Sequence, residues 1–278
     1  MNILEFSLLV WIGSFTAGFL GALTGLGGGV VIVPLLTSVF GVDIRYAVGA
    51  SLVSVIATSC GAASAYIKEG YANLRIGMFL EVATTIGALI GAFLATIVSV
   101  KSLTIVLAIV LLYSAYLAQR TRPEISDELP PSPLVTQLRL TGTCPTPDGL
   151  MSYKADSVPI GFGLMGLAGV FSGLLGIGSG AFKVLAMDQV MRLPFKVSTT
   201  TSNFTIGVTA AASASVYLAR GYIDPGLSMP VMLGVLPGAF LGARVLVGAK
   251  TPILRIVFSF VLVVMALKMV YNSLIGGL

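Results

Sequence analysis

GFLGALTGLGGGVVIVPLLTSV, residues 18–39, is an apolar run broken by a cluster of glycines, and it has a second copy, GVFSGLLGIGSGAFKVLAMDQV, at residues 169–190. The offset, 169 minus 18 or 151 positions, holds without a gap across most of both halves. At that offset Gly18, Gly25, Gly27 and Gly29 meet Gly169, Gly176, Gly178 and Gly180. Ser51 and Thr58 meet Ser202 and Thr209, the pair Gly70-Tyr71 meets Gly221-Tyr222, and GALIGA at 87–92 meets GAFLGA at 238–243. Coincidence does not keep register over such a distance, so the chain reads as two copies of one structural unit.

Composition says where those copies live. Of 278 residues, 56% are hydrophobic and 10% charged, with a mean hydropathy of +1.00, against about 25% charged in a soluble globular domain. Apolar windows near the length that spans a ~30 Å hydrocarbon layer recur at 5–24, 47–67, 76–98, 102–119, 159–175, 198–219, 227–249 and 253–273. The fold class is therefore an all-α polytopic membrane protein, with residues 1–119 as one transmembrane repeat, 120–158 as a linker or insert, and 159–278 as the other repeat. No lysine or arginine precedes the first apolar run, so it reads as a retained helix rather than a cleaved signal. With no histidine and only Cys60 and Cys144, nitrogen and sulfur ligands for a metal centre are almost missing, and no cofactor or metal is expected.

The cations set the orientation. If each half crosses the membrane an odd number of times, Lys68, Arg75, Arg120, Arg122, Arg139, Lys154, Arg192, Lys196, Lys250 and Arg255 fall on one side. Only Arg45, Lys101 and Arg220 fall on the other. An even number of crossings spreads them almost equally. The lopsided arrangement satisfies the positive-inside rule, which makes the repeats inverted, the central loop cytoplasmic and both termini external. Within that loop the acid- and proline-rich start reads as linker, while LRLTG and MSYKA around TPDG predict a small β-hairpin. The net charge of +5 is accounted for by topology, so nucleic acid is not an expected partner. The expected partners are the lipid bilayer and a small anion, with self-association into a homo-oligomer left open.

Glycine at membrane depth carries the chemistry. Each costs about 1 kcal/mol relative to alanine inside a helix, and non-helical backbone survives in a bilayer only where protein buries it or a wet cavity borders it. GLGGG at 25–29 and GIGSG at 176–180 are therefore read as breaks, with the segments 30–40 and 181–191 as half-helices. Their free amides, at Gly25, Gly27, Gly28 and Gly29 and at Gly176, Gly178, Ser179 and Gly180, suit an anion near the midplane. The competing reading is helix packing alone. Lys183 stands where the first copy has Ile32; a cation at that depth pairs either with a bound anion or with Asp188, or else snorkels. Arg244, placed like Phe93, carries the same alternatives. Glu81, six residues beyond Arg75, is read near the cytoplasmic interface, with a proton-carrying role as the alternative.

A polar stripe completes the candidate set. STTTSNFTIGVT at 198–209 lies opposite VGASLVSVIATS in the first half. Helical spacing brings Thr199, Ser202 or Asn203, and Thr205 or Ile206 to adjoining faces. These groups, with Ser51, Ser54 and Thr58 from the other repeat, either bond their own helices or orient an oxyanion.

At these residues the chain resembles the sulfite exporter TauE/SafE family of membrane transporters. The resemblance rests on GLGGGVVIVPLL at 25–36, GLLGIGSGAF at 173–182, RLPFKVSTTTSNFTIG at 192–207 and LPGAFLGARV at 236–245. It implies secondary transport of small sulfur-containing anions such as sulfite, sulfoacetate or other organosulfonates across the cell membrane, often as export and with proton coupling. Lys183 and MDQV depart from the family pattern, which continues with small apolar residues and a proline, as at Pro34. An anion channel, or a carrier for sulfate or thiosulfate, is the alternative. An enzyme is disfavoured because the spans hold no nucleophile–base pair or paired carboxylates.

Overall fold

The computed structural model describes residues 3–68, 70–95, 112, 115–116, 133–146, 149–176 and 178–275. The expected span at 102–119 lies largely outside the described residues, as do the proline-rich segment 120–132 and the cations Lys101, Arg120 and Arg122. The described chain is mostly helical. It runs α1 (Ile3–Thr24), α2 (Gly29–Ser38), α3 (Ile44–Lys68), α4 (Leu74–Leu94), the short α5 (Pro133–Gln137), strands β1 (Thr141–Thr146) and β2 (Gly149–Lys154), then α6 (Val158–Leu175) and α7 (Gly180–Leu185). A π-helical turn (Ala186–Val190) extends α7 before α8 (Phe195–Ala219), α9 (Pro225–Gly248) and α10 (Thr251–Ile275). Among the described residues, five stretches are long and apolar enough to cross a bilayer: Glu5–Thr24, Ile44–Ala63, Leu74–Leu94, Val158–Leu175 and Pro225–Gly248.

Local chemistry repeats between the halves. Gly70 and Gly221 both turn the chain with positive φ, +72° and +73°. Each turn is followed by a side-chain cap: Asn73 Oδ1 accepts from the Ile76 amide at 3.0 Å, and Asp224 Oδ1 from the Gly226 amide at 2.6 Å. Such caps satisfy helix-end donors and contribute about 1 kcal/mol each.

Close backbone approach holds the long helices together. The face of α4 carrying Gly87 and Gly91 lies so near α6 that an added Cβ would stand 2.1 Å from the carbonyls of Gly166 and Val170. In the equivalent place on α9, Gly238 and Gly242 leave 2.1 and 2.3 Å to the carbonyls of Phe15 and Phe19 on α1. Small residues at this spacing form the packing seam expected of helices in lipid. Thus α4 binds α6 and α9 binds α1, while α3 and α8 cross between them.

The hairpin is antiparallel, pairing Thr141 with Lys154 through Thr146 with Gly149. Its first strand starts three residues later than LRLTG suggests, because Arg139, at φ +50°, turns the chain out of α5 before pairing begins. Leu140, Val135 and Ala155 then join Ile76, Leu80, Met165 and Met187 in one buried cluster, so the hairpin is anchored on α4 and α6. The Tyr153 hydroxyl accepts from Asn73 Nδ2 at 3.0 Å; burial pushes the phenol's pKa up, with the Asn73 bond opposing.

Candidate functional site

The helical run stops after Thr24 and resumes at Gly29, and it stops after Leu175 and resumes at Gly180. Gly25, Gly27, Gly176 and Gly178 all take positive φ, between +63° and +79°, a conformation that only glycine adopts without strain. The two breaks adjoin. A Cβ on Gly180 would stand 2.4 Å from the Gly25 carbonyl, and a Cβ on either Gly27 or Gly178 would strike Ile206 Cδ1, at 2.9 and 2.8 Å.

A reciprocal pair of hydrogen bonds ties the breaks to the crossing helices. The Ser51 hydroxyl on α3 donates to the Gly176 carbonyl at 2.8 Å, and the Ser202 hydroxyl on α8 donates to the Gly25 carbonyl at 2.9 Å. Each serine thus supplies a donor to a carbonyl that the helix break releases. Ser54 and Thr58 donate to Ser51 and Ser54 carbonyls on their own helix, and Thr58 Oγ1 lies 3.3 Å from where a Gly28 Cβ would be. Asn203 Nδ2 donates to the Ala22 carbonyl at 2.6 Å. These groups border the breaks, and each bond named here ends on backbone.

Two hydroxyls at the junction behave differently. Among the described residues, Ser179 Oγ and Thr199 Oγ1 are buried without a hydrogen-bond partner, with the residues 1% and 0% exposed, as are the hydroxyls of Ser14, Ser172 and Ser228. Ser179 immediately precedes α7, and Thr199 packs against Gly25 through Cγ2. A buried unsatisfied polar atom costs roughly 1–3 kcal/mol, so the pair marks a place with unmet hydrogen-bonding capacity beside the junction of the breaks.

Lys183 lies one turn beyond Ser179. Its ammonium is 2.5 Å from Glu81 Oε2, 2.8 Å from Thr209 Oγ1 and 3.2 Å from Thr205 Oγ1, all four side chains being buried. Thr209 in turn donates to Glu81 Oε1, and the Thr84 hydroxyl lies 3.3 Å from Glu81 Oε2. Glu81 sits two turns into α4 and is 3% exposed, enclosed by Lys183, Thr209 and Thr84. One alternative offered by the sequence is corrected: Lys183 pairs with Glu81 and not with Asp188, since Asp188 lies in the π-helical turn and accepts from Gln189 Nε2 at 2.5 Å.

Arg244 is not brought to this cluster. It is exposed, its guanidinium carbon 4.2 Å from the Phe240 ring centroid on the outer face of α9. Gly77 and Thr84, by contrast, belong to the site although sequence reasoning passed over them. A Cβ on Gly77 would stand 2.8 Å from Thr205 Cγ2 and 3.0 Å from Thr201 Cγ2, so this glycine lets α4 approach α8 closely enough for Glu81 to reach Thr209. The usable signal was charge balance: Glu81 is an acid inside a span that has to meet a cation inside another.

The arrangement brings together a buried cation, a carboxylate that neutralises it, hydroxyls around both, and a junction of buried glycine backbone. Residues 10–269 match the model of the family described as sulfite exporter TauE/SafE. The probable membrane transporter protein YunE of Bacillus subtilis (strain 168) is 27% identical, over 98% of this chain and 99% of its own. YdhB of the same organism, also a probable membrane transporter protein, is 26% identical over 85% and 89%. A probable membrane transporter protein of Xylella fastidiosa (strain 9a5c) is 26% identical over 96% of each chain. No solved structure matches. With a polytopic helical build, glycine junctions and a family match over nearly its whole length, the chain belongs to the sulfite exporter TauE/SafE family of membrane transporters.

Proposed function

We propose that the protein is a secondary carrier for small sulfur-containing anions, sulfite, sulfoacetate or another organosulfonate, exporting them across the cell (inner) membrane with proton coupling. The observation that carries this reading is the buried Lys183 ammonium one turn from Ser179, where the Ser179 and Thr199 hydroxyls lie buried without partners among the described residues. A desolvated cation with nearby donors is what a compact oxyanion needs to replace its hydration. The family description names sulfite export.

In this reading the repeats are inverted, the breaks meet near the membrane midplane, the termini are external and the hairpin is cytoplasmic. The contacts of the cations support it. Arg75 reaches the Arg139 carbonyl at the hairpin end, and Arg192 faces Asp156 there. Arg45 bonds the Tyr222 hydroxyl, and Arg220 reaches the Ala92 carbonyl, at the other ends of α3, α4 and α8. The amides that open α2, which has no side-chain cap, add donors at the junction.

The test is flux in proteoliposomes with sulfite, sulfate, thiosulfate, sulfoacetate and taurine, with and without a pH gradient. Saturable transport of a sulfur oxyanion that responds to the gradient is expected. Non-saturating flux indifferent to pH would make the protein a channel, and no flux of any member of the panel would remove the reading. A C-terminal tag accessible only from the cytoplasm would overturn the orientation.

A further inference from the structure

We infer that Glu81 and the transported anion compete for the Lys183 ammonium, so that each anion bound there brings one proton onto Glu81. The inference rests on the carrier reading above and deepens it by naming the coupling device.

At the offset of 151, Lys183 corresponds to Ile32 and Glu81 to Met232. Ile32 is fully buried and Met232 packs against the same apolar cluster. The fold therefore fills the equivalent space in its other half without charge. A buried ion pair is commonly replaced by apolar side chains at little or no cost in stability, so packing does not account for an ionic pair on one side only. The same asymmetry extends to neighbours: Thr199 and Asn203 stand where the first half has Val48 and Leu52. At these positions one half of the junction is polar and its counterpart apolar, whereas Ser51, Ser54 and Thr58 are matched by Ser202, Thr205 and Thr209.

Lys183 holds its neutralising partner at 2.5 Å, and the named partners of the ammonium are Glu81, Thr205 and Thr209. An anion that takes the ammonium displaces Glu81 and leaves a carboxylate buried without its counter-charge, a state far too costly to persist. One proton from the open aqueous side adding to that carboxylate removes the charge. One N–H···O contact is exchanged for another, one O–H bond forms, and nothing else changes. Thr209 and Thr84 remain at hand for the resulting acid.

The elements packed around the pair offer little competition. Beside Lys183 and Glu81, α6 has no titratable residue, α4 has only Arg75, α8 only Lys196 and Tyr217, and α7 with its π turn only Asp188. Arg75 bonds the Arg139 carbonyl, Lys196 the Val247 carbonyl, Tyr217 the Gly173 carbonyl, and Asp188 accepts from Gln189.

Calorimetry on the full chain in lipid nanodiscs tests this, with sulfoacetate and thiosulfate as probes because both stay ionised between about pH 6 and 8. Titration in buffers of different ionisation enthalpy counts protons, and roughly one taken up per anion is expected for the native protein. Affinity should weaken up to about tenfold per pH unit as the proton becomes scarce. Glu81→Gln should bind either probe with no proton uptake and a flat pH dependence. Native binding without proton uptake, or Glu81→Gln binding with it, overturns the inference and leaves the carrier reading standing. The proton count of the native protein decides the matter even if the variant does not fold. Failure of every anion in the transport panel to bind overturns both.

Discussion

Lys183 on α7 and Glu81 on α4 come from opposite halves of the chain and meet at 2.5 Å, where the other half of the fold places Ile32 and Met232 in an apolar cluster. Removing one member is predicted to be worse than removing both. Lys183→Ile leaves a carboxylate buried alone, which costs about 3–5 kcal/mol. Adding Glu81→Met restores the solution that the first repeat already uses and should recover most of the loss while transport stays abolished. Thermal unfolding of the purified variants in one detergent measures this; a double variant no more stable than the single one would make the pair a structural requirement.

Gly77 precedes Glu81 by one turn on the same face of α4. A methyl there meets Thr205 Cγ2 at 2.8 Å and Thr201 Cγ2 at 3.0 Å, and neither threonine moves freely, since both are buried in α8. Gly77→Ala should force α4 away from α8 at a cost of about 1–3 kcal/mol and draw Glu81 from Thr209. The expected outcome is impaired transport from a protein that still reaches the membrane. Undiminished flux at normal expression would show that the helix spacing here is not critical.

Much of this was legible in the sequence because glycine and charge are read against strong physical penalties. The helical build with five of the expected apolar spans, the places where helices stop and the hairpin all follow from residue types that lipid or turn geometry tolerates in few other places. The partner of Lys183 was not legible. Asp188 is five residues away and Glu81 is 102 away, and only the packing of α4 on α8 selects the distant one. The roles of Ser51 and Ser202 were half legible: both were expected at the site, yet their hydroxyls go to the carbonyls of Gly176 and Gly25. Arg244 and Lys183 look alike in sequence, each a lone cation within an apolar stretch. Only the facing of α9 puts Arg244 outside, over Phe240.

Ser51 and Ser202 give a matched pair of predictions. Replacing either by alanine strands a buried break carbonyl without its hydroxyl donor, at roughly 1–3 kcal/mol. Because the bonds are 2.8 and 2.9 Å and related by the repeat, Ser51→Ala and Ser202→Ala should lower thermal stability by similar amounts. Transport should suffer more from Ser202→Ala, which acts beside the polar half of the junction. Equal transport losses at equal stability would argue that the asymmetry of Lys183 and Thr199 is unrelated to substrate.

Gly178 and Gly41 separate conformational strain from packing at the junction. Both have positive φ, +72° and +65°, so alanine at either place pays the left-handed penalty of roughly 1–2 kcal/mol. Around Gly41 nothing lies within 4 Å of an added Cβ, whereas at Gly178 it would stand 2.8 Å from Ile206 Cδ1. That methyl is also 2.9 Å from the Cβ position of Gly27, so it cannot retreat from one break without pressing on the other. Gly178→Ala should therefore add about 1–3 kcal/mol of overpacking to the shared penalty and stop transport, while Gly41→Ala loses only the shared part and keeps it. Parallel measurement of unfolding and anion flux distinguishes the two, and equal losses in both variants would mean that the contact of the two breaks through Ile206 is not what holds the junction in place.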